Sequence, residues 1–145
     1  MQHIALLKGG MSSEREISLE TAKAVRHALD ELGYNVTEID AGQDLAQQLT
    51  DAKPDIVFNA LHGTYGEDGC VPGILEILQI PYTHSGVLAS AMAMHKPTAK
   101  RLFKTVGIPV AEDIIVSRTS LLGGDPLPRP YVVKPLNEGS SVGVL

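Results

Sequence analysis

In Ile4-Ala5-Leu6-Leu7-Lys8-Gly9-Gly10-Met11-Ser12-Ser13-Glu14-Arg15-Glu16-Ile17-Ser18-Leu19, four unbroken apolar residues run into a lysine and a glycine pair, and a helical pattern follows. The apolar run predicts a short buried strand, and residues 8–10 the turn that ends it. Ser13, with Glu16 three residues later, reads as a capping box that starts a helix. Ile17, Thr21, Ala24, Val25, Ala28, Leu29 and Leu32 recur at helical spacing, predicting one core-facing stripe that Gly33 ends. Residues 34–39 then predict a second strand, 45–49 a short helix and 55–60 a third strand. Strand, helix, strand, helix, strand implies an α/β fold with a parallel sheet and helical crossovers. The three strands are expected to lie side by side.

The turn-rich loop 62–69 leads to an apolar helix at 74–78, a short strand at 80–83 and a helix at 87–94. Lys96-Pro97 reads as a boundary, with Pro97 in the first turn of a helix that runs to Thr105. Beyond it the pattern predicts strands at 114–116 and 131–134, separated by a glycine- and proline-rich loop at 120–130. Another strand is expected to begin at Val142. Two units are therefore expected, residues 1–95 and 96–145.

Composition narrows the function classes. The 145 residues carry 12 basic and 17 acidic side chains, a formal net charge of −5, which opposes a general polyanion-binding role. The single cysteine, Cys70, provides no disulfide framework and is compatible with a reducing cytosol. No run of about 18 apolar residues is present, so no membrane span is expected. The N-terminus has no basic region followed by a hydrophobic core, which argues against a signal peptide.

Strand-to-helix loops of a parallel sheet open at one edge, where ligands tend to bind. The candidates are residues 9–14, 61–69 and 83–86. Glu14 falls in a first helical turn, where it could receive an ammonium group or simply complement the helix dipole. His62 could donate to a substrate or be satisfied by its own loop. Glu67 and Asp68 are turn formers before they are metal ligands. His3, His27, His84 and His95 show no metal-binding spacing. Lys96 could be a surface charge. Lys134 ends the apolar Tyr131-Val132-Val133 and needs either an anion or a route to solvent. It precedes a loop of small residues whose amides and hydroxyls could meet phosphates.

Two motif readings are rejected. Gly139-Ser140-Ser141-Val142-Gly143 fits the G-x-S-x-G nucleophile pattern, but a strand pattern rather than a helix follows the serine. Gly9-Gly10-Met11-Ser12-Ser13 lacks the G-x-G-x-x-G of a dinucleotide-binding turn.

The motifs taken in order resemble the D-alanine–D-alanine ligase family of ATP-grasp enzymes. The resemblance is carried by residues 7–19, by Ala60-Leu61-His62-Gly63 with Gly66-Glu67-Asp68-Gly69, by Pro81-Tyr82-Thr83 with Ser85-Gly86, and by Val133-Lys134-Pro135 with Glu138-Gly139-Ser140-Ser141-Val142-Gly143. It implies a Rossmann-like domain preceding an ATP-grasp domain, and the opening part of the latter. It implies that Glu14 binds the ammonium of the first D-alanine with His62 nearby, and that Ser140 joins Glu14 in positioning substrate. Lys96 and Lys134 would hold ATP phosphates, and Glu138, Gly139, Ser140, Ser141 and Gly143 would form a phosphate-covering loop. The implied reaction joins two D-alanines through an acyl phosphate for peptidoglycan precursor synthesis, with ATP and Mg2+ as cofactors. The implied setting is the cytoplasm, with a homodimer as the complete assembly. On this reading the 145 residues are an N-terminal piece, inactive alone, with the magnesium ligands beyond residue 145. A different class, a non-catalytic α/β binding or assembly module, stands as the alternative.

Overall fold

The computed structural model describes residues 2–139 and 143–144. Its centre is a three-stranded sheet in the order β2-β1-β3, formed by β1 (His3–Lys8), β2 (Asn35–Asp40) and β3 (Ile56–Asn59). Both pairings are parallel; Leu6 lies opposite Glu38 on one side and Phe58 on the other. The side-by-side arrangement expected of the three strands is observed.

The apolar run of β1 is explained by its central place. Alternation along the strand sends successive side chains to opposite faces. Ala5 and Leu7 join one core with Ile39, Leu45, Leu49, Val57, Leu61, Val71 and Leu75, while Leu6 joins a second with Ala22 and Ala60. A strand covered on both faces has no position for a polar residue, so it reads as continuous hydrophobicity.

Helix α1 (Arg15–Glu31) covers one face, while α2 (Leu45–Ala52) and α3 (Cys70–Leu78) supply side chains to the core on the other. Two expectations about α1 are corrected. Its N-cap position is Glu14 and has no side-chain cap; Ser12 Oγ instead accepts from the Glu14 amide at 3.1 Å, so the box from Ser13 to Glu16 does not form. The buried face is Ser18, Ala22 and Leu29, with Val25 packed against it, whereas Ile17, Ala24, Ala28 and Leu32 are exposed. Small residues admit close contact with the sheet, and Ser18 Oγ donates to the Ala60 carbonyl at 2.8 Å. That bond rotates the helix away from its most hydrophobic stripe. Gly33 does end the helix, at φ +78°.

The expected strand at 80–83 is reduced to one parallel bridge between Val57 and Tyr82. Helices α4 (Val87–Met94) and α5 (Lys96–Thr105) follow, with Pro97 in the first turn of α5. Residues 114–116 and 131–134 are not strands, and helix α6 (Arg118–Leu122) intrudes on the expected loop. Apolar β-branched residues form a strand only where a neighbour accepts and donates along the ladder, and neither segment has one among the described residues. The strand expected from Val142 lies largely outside the described residues. No helix among those described is long and apolar enough to cross a membrane.

Candidate functional site

Lys8, Asp40 and Asn59 end their strands at the same edge of the sheet, so the loops that follow meet there. The first is held by Arg15, which donates to the Gly10 carbonyl at 3.0 Å and forks onto Asp40 at 2.7 and 2.5 Å. The Gly10 amide also donates to Asp40. The hydrogen bond from Arg15 is the main reason the Asp40 carboxyl sits below its ordinary pKa of 3.8. This clasp ties the glycine turn to the end of β2 and sets the start of α1.

Glu14, immediately before α1, is 2% exposed. Its Oε2 is buried without a hydrogen-bond partner. Two backbone segments close on that carboxylate. A Cβ at Gly63, where φ is +70°, would stand 2.5 Å from Oε2, and a Cβ at Gly139 would also collide with it. Only glycine fits these approaches. The second loop is cross-braced: Ser12 Oγ donates to the His62 carbonyl at 2.7 Å, and the Gly63 amide donates to Glu67 Oε2 at 2.6 Å. Asn59 donates to the Gly66 carbonyl and accepts from the Leu61 amide, at 2.9 and 3.0 Å. His62 pairs through Nε2 with Thr21 Oγ1 at 2.9 Å, a partner on α1 rather than in its own loop.

Beside Gly139 lies a cavity of about 490 Å³, walled by Asn59, Glu67, His84, Ser90, Lys96 and Glu138 among others. Lys96, at the start of α5, donates to the Glu138 carbonyl at 2.5 Å and to that of Leu136 at 3.5 Å. Its own amide donates to Leu136 as well. A smaller cavity of about 160 Å³, mostly apolar, sits beneath His62, Tyr65 and Cys70.

The structure thus brings Glu14, His62 and Gly139 together, with Lys96 and Glu138 on an adjoining wall. Lys134 is exposed and is not among the residues walling this cavity. Gly143, at φ +67°, lies against Pro135, while Ser140 and Ser141 fall outside the described residues. Among the described residues no group of three or more His, Cys, Asp or Glu side chains is placed to hold a metal ion. Sequence reasoning missed Ser12, Thr21 and Asn59 as braces. It also passed over His84, although the 83–86 loop was a candidate. Isolated polar residues in loops carry no spacing signal that distinguishes a brace from a solvated side chain.

Residues 40–85 match the family model described as D-ala D-ala ligase N-terminus. Over 143 residues the chain is 60% identical to the D-alanine–D-alanine ligase of Parvibaculum lavamentivorans, covering 99% of this chain and 46% of that protein. The matched family is that of the D-alanine–D-alanine ligases, over their N-terminal part. The D-alanine–D-alanine ligase of Bacillus anthracis superposes over the whole of this chain and 49% of its own, at 35% identity and a TM-score of 0.81. A D-alanine–D-alanine ligase of Bacillus anthracis complexed with ATP covers 95% of this chain and 48% of its own, at 32% identity and a TM-score of 0.71. The chain spans about half the length of the curated relatives it matches. The α/β fold with a parallel sheet is shared with these ligases.

Proposed function

We propose that these residues supply the first-substrate wall, and part of the nucleotide wall, of an enzyme that joins two D-alanines at the expense of ATP. The observation that carries this reading is the Glu14 carboxylate, buried with one oxygen unpartnered at the ligand edge of the sheet. A buried anion without a donor is costly unless a cation arrives to meet it. The ammonium of an amino acid is such a cation. The glycine approaches at 63 and 139 leave no side chain between that oxygen and the neighbouring backbone.

In this reading Glu14 holds and orients the first D-alanine, and the His62–Thr21 pair keeps the adjoining loop in place. Lys96 turns from the 136–138 carbonyls toward phosphate, where a compact ammonium stabilises charge that shifts between oxygens during transfer. Lys134 would join it, and Glu138, Gly139, Ser140, Ser141 and Gly143 would cover the phosphates with backbone amides. Ser140 would complete the positioning set around Glu14. The substrate carboxylate attacks the γ-phosphate, ADP leaves, and the amine of the second D-alanine displaces phosphate from the acyl phosphate. What the protein contributes is placement and preorganised charge. The relatives' names support D-alanine as substrate, and the ATP complex of the Bacillus anthracis enzyme supports the nucleotide. Magnesium, a role in peptidoglycan precursor synthesis, a cytoplasmic setting and a homodimer belong to the same proposal. So does a division into units 1–95 and 96–145.

The test is phosphate release from ATP that depends on D-alanine, measured for the whole protein. Dependence on D-alanine, with loss of that dependence in Glu14→Gln, is the expected result. Tight ligand binding by the α/β unit with no ATP turnover in the whole protein would favour a binding module instead.

A further inference from the structure

Glu14 Oε2 has no hydrogen-bond partner, so no bond at that atom fixes where it stands. Its place is set through the backbone. Glu14 precedes α1 at φ −98° and ψ 17°, with its amide held by Ser12 Oγ and its carbonyl by the Ser18 amide, each at 3.1 Å. To reach it the chain passes two successive left-handed residues, Gly9 at φ +66° and Gly10 at φ +80°. Glycine permits that conformation without preferring it, so another device has to hold the turn.

Arg15 and Asp40 are that device. Arg15 Nη1 donates to the Gly10 carbonyl and to Asp40 Oδ1, Nη2 donates to Asp40 Oδ2, and the Gly10 amide donates to Asp40 Oδ1 at 3.2 Å. One ion pair thus takes both backbone groups of Gly10. A Cβ at Gly9 would stand 2.5 Å from Asp40 Oδ1 and 2.6 Å from Arg15 Nη1, so the pair fills the space a side chain there would need. Asp40 is the last residue of β2 and lies opposite Lys8, which anchors the turn to the sheet rather than to another loop. Neither Arg15 nor Asp40 walls either of the two cavities. Their side chains are 43% and 47% exposed, where water screens the attraction and an ion pair adds little to stability. What the fork supplies is geometry, since two parallel bonds fix the guanidinium in plane and angle.

We propose that Arg15 and Asp40 are positioning residues for substrate binding: their forked pair holds the Gly9-Gly10 turn, and through it the place of the Glu14 carboxylate against which the ammonium of the first D-alanine seats. The inference rests on the reading of Glu14 as the ammonium-binding group.

The experiment follows D-alanine-dependent phosphate release by the whole protein, with urea midpoints measured alongside. The variants are Arg15→Gln, Asp40→Asn, the two combined, Arg15→Lys and Glu14→Gln. Arg26→Gln is the control, because it breaks a similarly exposed ion pair, with Asp30, further along the same helix. Arg15→Gln and Asp40→Asn should each raise the KM of the first D-alanine about tenfold or more, as a misplaced binding group does, while the KM for ATP stays within about twofold. The combined variant should be no worse than the worse single one, since both remove the same interaction. Arg15→Lys keeps the charge but cannot fork, so its KM should fall between those of the parent and Arg15→Gln. Urea midpoints of the clasp variants should match that of Arg26→Gln. A parent-like KM for D-alanine in both single variants overturns the proposal. So does an equal rise in the KM for ATP, or a rise that Arg26→Gln shares, either of which marks an ordinary structural ion pair. Additive losses in the combined variant overturn it as well. The underlying reading fails separately: a parent-like KM for D-alanine in Glu14→Gln removes the ammonium site and the proposal with it. A parent protein that releases no phosphate in response to D-alanine has the same effect. If Arg15→Gln and Asp40→Asn do not fold, Arg15→Lys decides alone, and a parent-like KM there overturns the proposal.

Discussion

A carboxylate buried at 2% exposure with an unpartnered oxygen is a local cost that the rest of the fold has to offset. Glu14→Gln should therefore leave the urea midpoint unchanged or raise it, while on the proposed reading D-alanine affinity of the whole protein falls by about tenfold to a hundredfold, the scale of a hydrogen bond to a charged group. A parallel loss of stability and affinity would instead mark Glu14 as structural. Gly63→Ala probes the same point from the opposite side. Its Cβ would stand 2.5 Å from Glu14 Oε2 at a φ of +70°, so stability should drop by about 1–3 kcal/mol in a denaturant titration. His84 carries a pH dependence with a definite sign. Its folded pKa lies below its unfolded value near 6.5, so the unfolded state binds the proton first as pH falls. The contribution to stability is complete above that unfolded value and is lost as pH drops from it toward the folded one. Urea midpoints between pH 7.5 and 5 should decline in the parent protein and decline less in His84→Gln.

Among the elements, β1 bears the greatest packing load, because its side chains reach two cores at once. Leu7→Ala should cost about 2–5 kcal/mol, the range for a buried leucine truncated in a core that collapses only partly. Ile17→Ala on α1 should stay within about 0.5 kcal/mol, as for an exposed site. The contrast checks the orientation of α1 directly, because the hydrophobic stripe read from sequence contains Ile17 and the buried face does not. Hydrophobic periodicity alone misplaces the helix here. What turns it is the Ser18 bond to the Ala60 carbonyl together with the small Ala22, neither of which a hydrophobicity pattern weighs.

On the largest scale, the buried hydrophobic residues among those described run from Ile4 to Leu75, and none lies in α5 or α6. Among the described residues, 109–116 make no backbone–backbone hydrogen bond, and Ile114, Ile115 and Val132 are exposed. Hydrogen exchange followed by mass spectrometry should therefore find peptides covering β1 the slowest to exchange and those covering 109–116 among the fastest. Slow exchange at 109–116 would show pairing that this arrangement lacks.

The sequence by itself determined the parallel sheet, the end of α1 at Gly33, and the loops that gather at one edge. These follow from local signals: an unbroken apolar run, a glycine at positive φ, and the alternation of strand with helix. Its motifs, distinctive in their order and spacing, also drew attention to Glu14, His62, Lys134 and the loop from Glu138 as candidates. Only the tertiary structure decided which face of α1 is buried, that His62 is braced by Thr21, and that among the described residues Glu14 and His84 hold buried polar atoms without partners. It also decided that 114–116 and 131–134 are not strands among the described residues. The physical reason is the same in each case. A hydrogen-bond partner far away in the chain is invisible to local pattern, and whether a polar atom or a strand edge is satisfied depends entirely on that partner.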